Sequence, residues 1–266
     1  MQLQLHFYDF GEGVKAFSST RLGGYSEGNY SAFNINHYCG DSEAAIQKNR
    51  ASLCQLLGIE DNRLIIPHQV HQTKIVTIDE AFLRLSLAEQ KARLEGVDAL
   101  MTDVTGVCIG VSTADCIPVL LYDQVHHASC AIHAGWRGTV KRIVEKAVAT
   151  MISVYGSCPT DIVAQIGPGI HLESFEVGDE VYEAFANEGF HMEAISQRFP
   201  ANDDPSIEKW HIDLPLCNRQ QLPVSGIPSS QIAVSDVCTF QQSDVYFSAR
   251  RLGINSGRIF TGILMP

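Results

Sequence analysis

The sequence contains no Cys-x-x-Cys pair, no excess of basic residues and no apolar run approaching the length of a membrane span. Each absence excludes a class. A spanning helix needs about 20 consecutive apolar residues. Lysine and arginine number 19 against 30 acidic residues, a net charge of -11. A surface for nucleic acid needs a basic face, so no nucleic-acid partner is expected, although a local basic pocket for a small phosphate stays open. The start Met1-Gln2-Leu3-Gln4-Leu5-His6 lacks a signal peptide's basic region and apolar core, so cytoplasmic residence is expected. No internal repeat, low-complexity tract or linker divides the 266 residues, so one domain over 1–266 with a proper core is expected. Oligomeric state is not legible.

Eight cysteines are present but scattered, at 39, 54, 108, 116, 130, 158, 217 and 238. A chain this long does not need disulfide staples. Cys108 and Cys130 sit within apolar runs and read as small core residues. Only Cys116 lies in a polar loop beside a carboxylate.

The stretch from Thr113 to Arg137 organises the rest. Val107-Cys108-Ile109-Gly110-Val111, Val119-Leu120-Leu121-Tyr122 and Ala128-Ser129-Cys130-Ala131-Ile132 are short apolar runs separated by turn signals, the pattern of buried strands. Cys116 and His133 fall where strand and loop meet, on adjacent strands expected in one sheet. Strand ends in α/β sheets are where small ligands usually bind. After Gly135-Trp136-Arg137-Gly138, residues Ile143, Val144, Ala147, Val148 and Met151 recur at helical spacing.

A thiolate and an imidazole so placed can share a borderline-soft metal, or the imidazole can deprotonate the thiol to make a nucleophile. Pro67-His68-Gln69-Val70-His71-Gln72 runs into the alternating strand Ile75-Val76-Thr77-Ile78, which puts His71 near another strand end. Three protein ligands and an open position describe a catalytic zinc site. Spacing alone leaves both chemistries open, together with the reading that the three side chains never meet.

Elsewhere, residues 1–38 read as two or three short strands with glycine turns, with Arg21 and Asn36 able to reach a site. Asp41-Ser42 opens a helix that Gly58 ends. A second helix is expected within 80–94, and shorter ones over Asp179–Phe185 and Cys217–Leu222. Strands are expected over Thr160–Ile166, Ile232–Val237 and Ile259–Leu264. The loop Gly167-Pro168-Gly169 allows backbone to approach a ligand. The pattern weakens from Phe190 to Asn202, and Asp203-Asp204-Pro205-Ser206 reads as a loop. Together these predict an α/β fold (α+β with a mixed sheet), a single-domain layered sandwich of helices and β-sheet.

Five blocks carry a resemblance: Gln69-Val70-His71, Thr113-Ala114-Asp115-Cys116-Ile117-Pro118, His133-Ala134-Gly135-Trp136-Arg137-Gly138, Ile166-Gly167-Pro168-Gly169-Ile170 and Phe247-Ser248-Ala249-Arg250-Arg251. With Ser31-Ala32-Phe33-Asn34-Ile35-Asn36 and Gly40-Asp41, they make the chain resemble the YfiH-like family. That family is described both as multicopper polyphenol oxidoreductase or laccase and as purine nucleoside phosphorylase. The blocks run in family order from about residue 20 to the C-terminus.

The resemblance implies that His71, Cys116 and His133 are a zinc-binding catalytic trio. It also implies a purine nucleoside phosphorylase with adenosine deaminase activity, taking a purine nucleoside and phosphate. Arg137, at a helix start, is the first choice for phosphate, and Arg250 and Arg251 are weaker candidates, with Arg250 preferred. Alternatives are a copper-dependent polyphenol oxidase, disfavoured by the lack of any His-x-His pair, a Cys116–His133 cysteine hydrolase, and a partner-binding protein with a structural zinc. Two departures from the family stand out. Ser174 replaces a cysteine, which removes it from any copper cluster. Ala249 replaces a tyrosine, which is expected to reshape the pocket.

Overall fold

The computed structural model describes residues 3–201, 204 and 206–265. Asp203 and Pro205, half of the expected loop there, lie outside the described residues, as do Met1 and Gln2.

Two mixed sheets face each other. The first has five strands in the order Leu5–Tyr8, Lys15–Ser19, Ile259–Leu264, Cys108–Thr113 and Leu64–Ile65, antiparallel except for the last pair. The second has six, in the order Ile232–Val234, Ile162–Ile166, Ile117–Asp123, Ala128–Ala134, Ala99–Thr102 and Ile75–Thr77. Its two edge pairs are parallel and its interior antiparallel.

The two-residue alternation of strands assigns each side chain to a layer. Leu100, Leu120 and Ala131 of the six-stranded sheet meet Ile109, Val111 and Ile263 of the five-stranded sheet between the layers. On the opposite face, Val119, Leu121 and Ile132 pack against Val144, Ala147, Val148 and Met151 of the helix Ile143–Tyr155. Each fully buried aliphatic side chain contributes about 1.5–3 kcal/mol, so the strand that follows Cys116 and the strand that carries His133 are held by core on both faces. The layered mixed α/β architecture is the one the sequence predicts.

Several details differ. The single helix expected within 80–94 is two, Glu80–Leu83 and Leu87–Arg93. Ser86 separates them: its hydroxyl accepts from the Glu89 amide while Glu89 takes the Ser86 amide, a capping box that starts a new helix. The stretch after His133 also holds two helices, Trp136–Val140 and Ile143–Tyr155, broken at Arg142 with φ 60°. Residues 190–201 do carry regular structure. Met192–Ile195 is helical, and Ser196–Pro200 joins Glu208–Ile212 and Glu176–Val177 in a small antiparallel sheet. Its polar sequence follows from its exposure, which leaves no apolar alternation to read. The strand from Ile232 stops at Val234. Among the described residues, no helix is long and apolar enough to cross a membrane.

Candidate active site

His71, Cys116 and His133 converge, their ligand atoms all lying within 4.8 Å of one another. His133 is the penultimate residue of Ala128–Ala134 and shares the parity of Ala131, so its ring is on the face turned toward the five-stranded sheet. Cys116 immediately precedes Ile117–Asp123, the antiparallel neighbour in which Pro118 pairs with His133. The strand that delivers Cys116, however, is Cys108–Thr113 of the other sheet. Residues 114–116 therefore step between sheets, and Asp115 takes φ 83° at the step. His71 enters from the loop before Ile75–Thr77 with φ 60°. Such backbone is uncommon outside glycine and gathers at functional sites. The His71 and His133 rings meet edge to face, with centroids 4.8 Å apart.

Behind the trio lies a residue the sequence reading passed over. Asp98 is fully buried, on the strand face it shares with Leu100. Its Oδ1 is 2.7 Å from His133 Nδ1 and accepts the His71 amide at 3.0 Å. Its Oδ2 accepts the Gln72 amide at 2.7 Å and the Val70 amide at 3.4 Å. Burial alone would raise this carboxyl, but its hydrogen bonds from His133 and the loop amides hold it below the usual range. The visible signal was a carboxylate inside Val97-Asp98-Ala99-Leu100-Met101, because a buried charge needs partners. Gln69 anchors the same loop: its amide donates to the Ser112 carbonyl at 2.8 Å, and its carbonyl accepts from the Ser112 amide at 2.7 Å.

Gly135 is set by space. A Cβ there would lie 2.7 Å from His71 Cδ2 and 3.1 Å from Cys116 Sγ, while its φ of -68° suits any residue. Gly169 is similar, with a Cβ meeting Ile117 Cδ1 at 2.3 Å. The Gly-Pro-Gly loop thus packs on the Cys116 segment, and the Ile170 amide donates to the Asp115 carbonyl at 2.8 Å.

Burial would push the Cys116 thiol up, but the His133 and His71 imidazoles outweigh it and bring it down to about 6. Burial would lower His133, but the Cys116 sulfur and Asp98 carry it up to about 9. Each of the pair thus favours the charged form of the other. Two imidazoles and a thiolate, with one histidine backed by a carboxylate, fit the donor set and outer partner of a three-ligand zinc centre.

The centre opens into a cavity of about 500 Å³ whose walls include Asn36, Tyr38, Ile170, Phe175, Ala249 and Arg250. The Arg250 amide donates to Asp115 Oδ2 at 2.7 Å, and Thr239 Oγ1 donates to Asp115 Oδ1 at 2.8 Å. Arg250 is thereby tied to the residue next to Cys116. Its guanidinium reaches the Glu176 carbonyl at 3.0 Å and lies 5.6 Å over the Phe175 ring. Arg258 also lines the cavity, but its guanidinium clasps the carbonyls of Ile254, Ser256 and Gly257 in its own loop.

Arg137 is elsewhere. It is exposed, stacks 4.2 Å over Trp136 and is not among the residues lining the cavity. Its helix, Trp136–Val140, is a single short turn. Arg21 borders a separate cavity and is held by the Ser31 and Ser243 carbonyls. Cys39, read as structural, lines the same cavity as the trio, and burial pushes its thiol up. Ser174 is buried beside Cys238, whose sulfur donates to it at 3.5 Å.

Residues 15–266 match the family described as multi-copper polyphenol oxidoreductase laccase. A purine nucleoside phosphorylase of Bacteroides thetaiotaomicron is 46% identical over 252 residues, covering 95% of this chain and 92% of that protein. Adenosine deaminase RL5, from an unknown prokaryotic organism, is 44% identical over 264 residues, covering 98% of each. The crystal structure of the Bacillus licheniformis hypothetical protein YfiH superposes with a TM-score of 0.89 at 29% identity, covering 98% of this chain and 96% of that one.

Proposed function

Because the chain belongs to the multi-copper polyphenol oxidoreductase laccase family, whose members similar to it bear phosphorylase and deaminase names, we propose that it is a zinc-dependent purine nucleoside phosphorylase. It acts as one domain on adenosine or inosine, and on methylthioadenosine, in the cytoplasm, and it also deaminates adenosine. The observation that carries this reading is a three-donor centre and a tethered arginine on one cavity.

In phosphorolysis a phosphate oxygen bonds to C1′ of the ribose as the bond from C1′ to the base nitrogen breaks, and the base departs with a proton. Arg250 supplies the cation for phosphate, since a guanidinium matches its oxygens two at a time. Phe175 and Ile170 offer apolar surface for base or sugar. His71, Cys116 and His133 would hold the zinc, with Asp98 behind them. Zinc bound there would act as a Lewis acid and lower the pKa of its water to about 7, the chemistry needed for displacing an amino group from adenine.

Copper chemistry of the laccase kind needs several ions. Among the described residues, His71, Cys116 and His133 form the one cluster of three or more such donors, which favours a single ion. A second reading has a specific observation behind it: Asp98, His133 and Cys116 line up as the acid, base and nucleophile of a cysteine hydrolase. Incubating the protein with adenosine and phosphate, and identifying the products, separates these readings. Ribose 1-phosphate with free base supports the phosphorylase, and their absence under conditions where ammonia or phenol oxidation appears overturns it.

A further inference from the structure

We propose that Asp98 is a positioning residue that sets the metal affinity of the centre by fixing two of its three ligands at once. The inference rests on the metal reading above. One carboxylate oxygen takes both His133 Nδ1 and the His71 amide; the other takes the amides of Gln72 and Val70. All four groups are donors when His133 carries its proton on Nδ1. The lone pair of Nε2 then faces away from Asp98, on the side of Cys116, as a metal ligand requires. The same carboxylate gathers three successive amides and so holds His71 in its left-handed backbone. His71 and His133 come from segments far apart in the chain, and Asp98 holds the ring of one and the backbone of the other from behind.

An asparagine at 98 is nearly the same size but cannot serve all four donors. With its carbonyl toward His133, its NH2 meets the Gln72 and Val70 amides, and the His71 loop loses two of its three amide bonds. With the amide turned over, the NH2 meets His133 Nδ1, which must then accept, placing the proton on Nε2 and blocking that nitrogen from the metal. The first orientation loosens the loop that carries His71, and the second takes His133 from the metal.

The test is titration of chelator-treated protein with Co²⁺, followed by the thiolate-to-cobalt absorption band, which reports a metal on Cys116. Asp98→Asn is expected to bind about 10- to 100-fold more weakly than the wild type and to show an altered ligand-field spectrum. Val148→Ala, in the core on the far side of the sheet, controls for lost stability and is expected to keep wild-type affinity. If Asp98→Asn fails to fold, Asp98→Ser, which retains one acceptor and cannot span to the loop, carries the same expectation. Binding by the Asp98 variant within about threefold of wild type overturns the inference. A wild-type protein that gives no cobalt–thiolate band overturns instead the metal reading on which it rests.

Discussion

The Asp98 carboxylate and His133 Nδ1 lie 2.7 Å apart, both essentially closed to solvent. That contact leaves only Nε2 of His133 to face the sulfur of Cys116, and it turns three separated side chains into an ordered donor set.

Changing Cys116 to Ser should remove the metal. A serine hydroxyl is protonated at neutral pH and is a weak ligand, whereas Cys116 is held near 6 by its imidazole neighbours. Elemental analysis should show metal content reduced at least about tenfold, with both phosphorolysis and ammonia release lost. Retention of full metal content by Cys116→Ser would place the ion elsewhere.

The two arginines should separate kinetically. Arg250→Gln should raise the apparent KM for phosphate about tenfold or more, since hydrogen bonds to charged groups contribute roughly 1.5–3 kcal/mol. Ammonia release from adenosine should change much less, because deamination uses no phosphate. Arg137→Gln, outside the cavity lining, should leave the phosphate KM within about twofold, in the range of neutral surface changes. The reverse ranking would return the phosphate role to Arg137.

Gly135→Ala probes space alone. The added methyl would sit 2.7 Å from His71 Cδ2 and 3.1 Å from Cys116 Sγ, so the ligands must part. The expected result is weaker metal retention on dialysis against chelator, with a melting temperature for the metal-free protein little changed. A variant that holds metal like the wild type would show that the site relaxes around the methyl.

Alkylation distinguishes the metal centre from the cysteine hydrolase. A zinc-bound thiolate is shielded, so iodoacetamide should label Cys116 slowly until a chelator is added, then quickly. Equal rates with and without chelator, with loss of activity, would favour the hydrolase. Peptide mapping assigns the label among the eight cysteines.

Much of this was legible in the sequence because strand and helix periodicity reflect burial, and burial is strongest around the site. The run that follows Cys116 and the run that carries His133 are entirely buried strands, so their boundaries came close. The strand Ser196–Pro200 was not legible because it is largely exposed. Asp98 was missed for another reason: its partners are a histidine 35 residues away and amides 26 to 28 residues away, and a hydrogen bond across strands leaves no local spacing. Arg137 attracted the phosphate assignment through its place at a helix start, but the helix is short and the guanidinium lies on Trp136. Arg250 reaches the cavity through Asp115, a link that only the fold reveals.

The most direct test of the central claim is ribose 1-phosphate formation from adenosine or inosine with phosphate, measured before chelation, after it and after restoring stoichiometric zinc. The account predicts phosphate-dependent formation by the protein as purified, loss on chelation and recovery with zinc. Ribose 1-phosphate produced at an undiminished rate by fully metal-free protein, or formed by neither metal-free nor zinc-loaded protein, would contradict it.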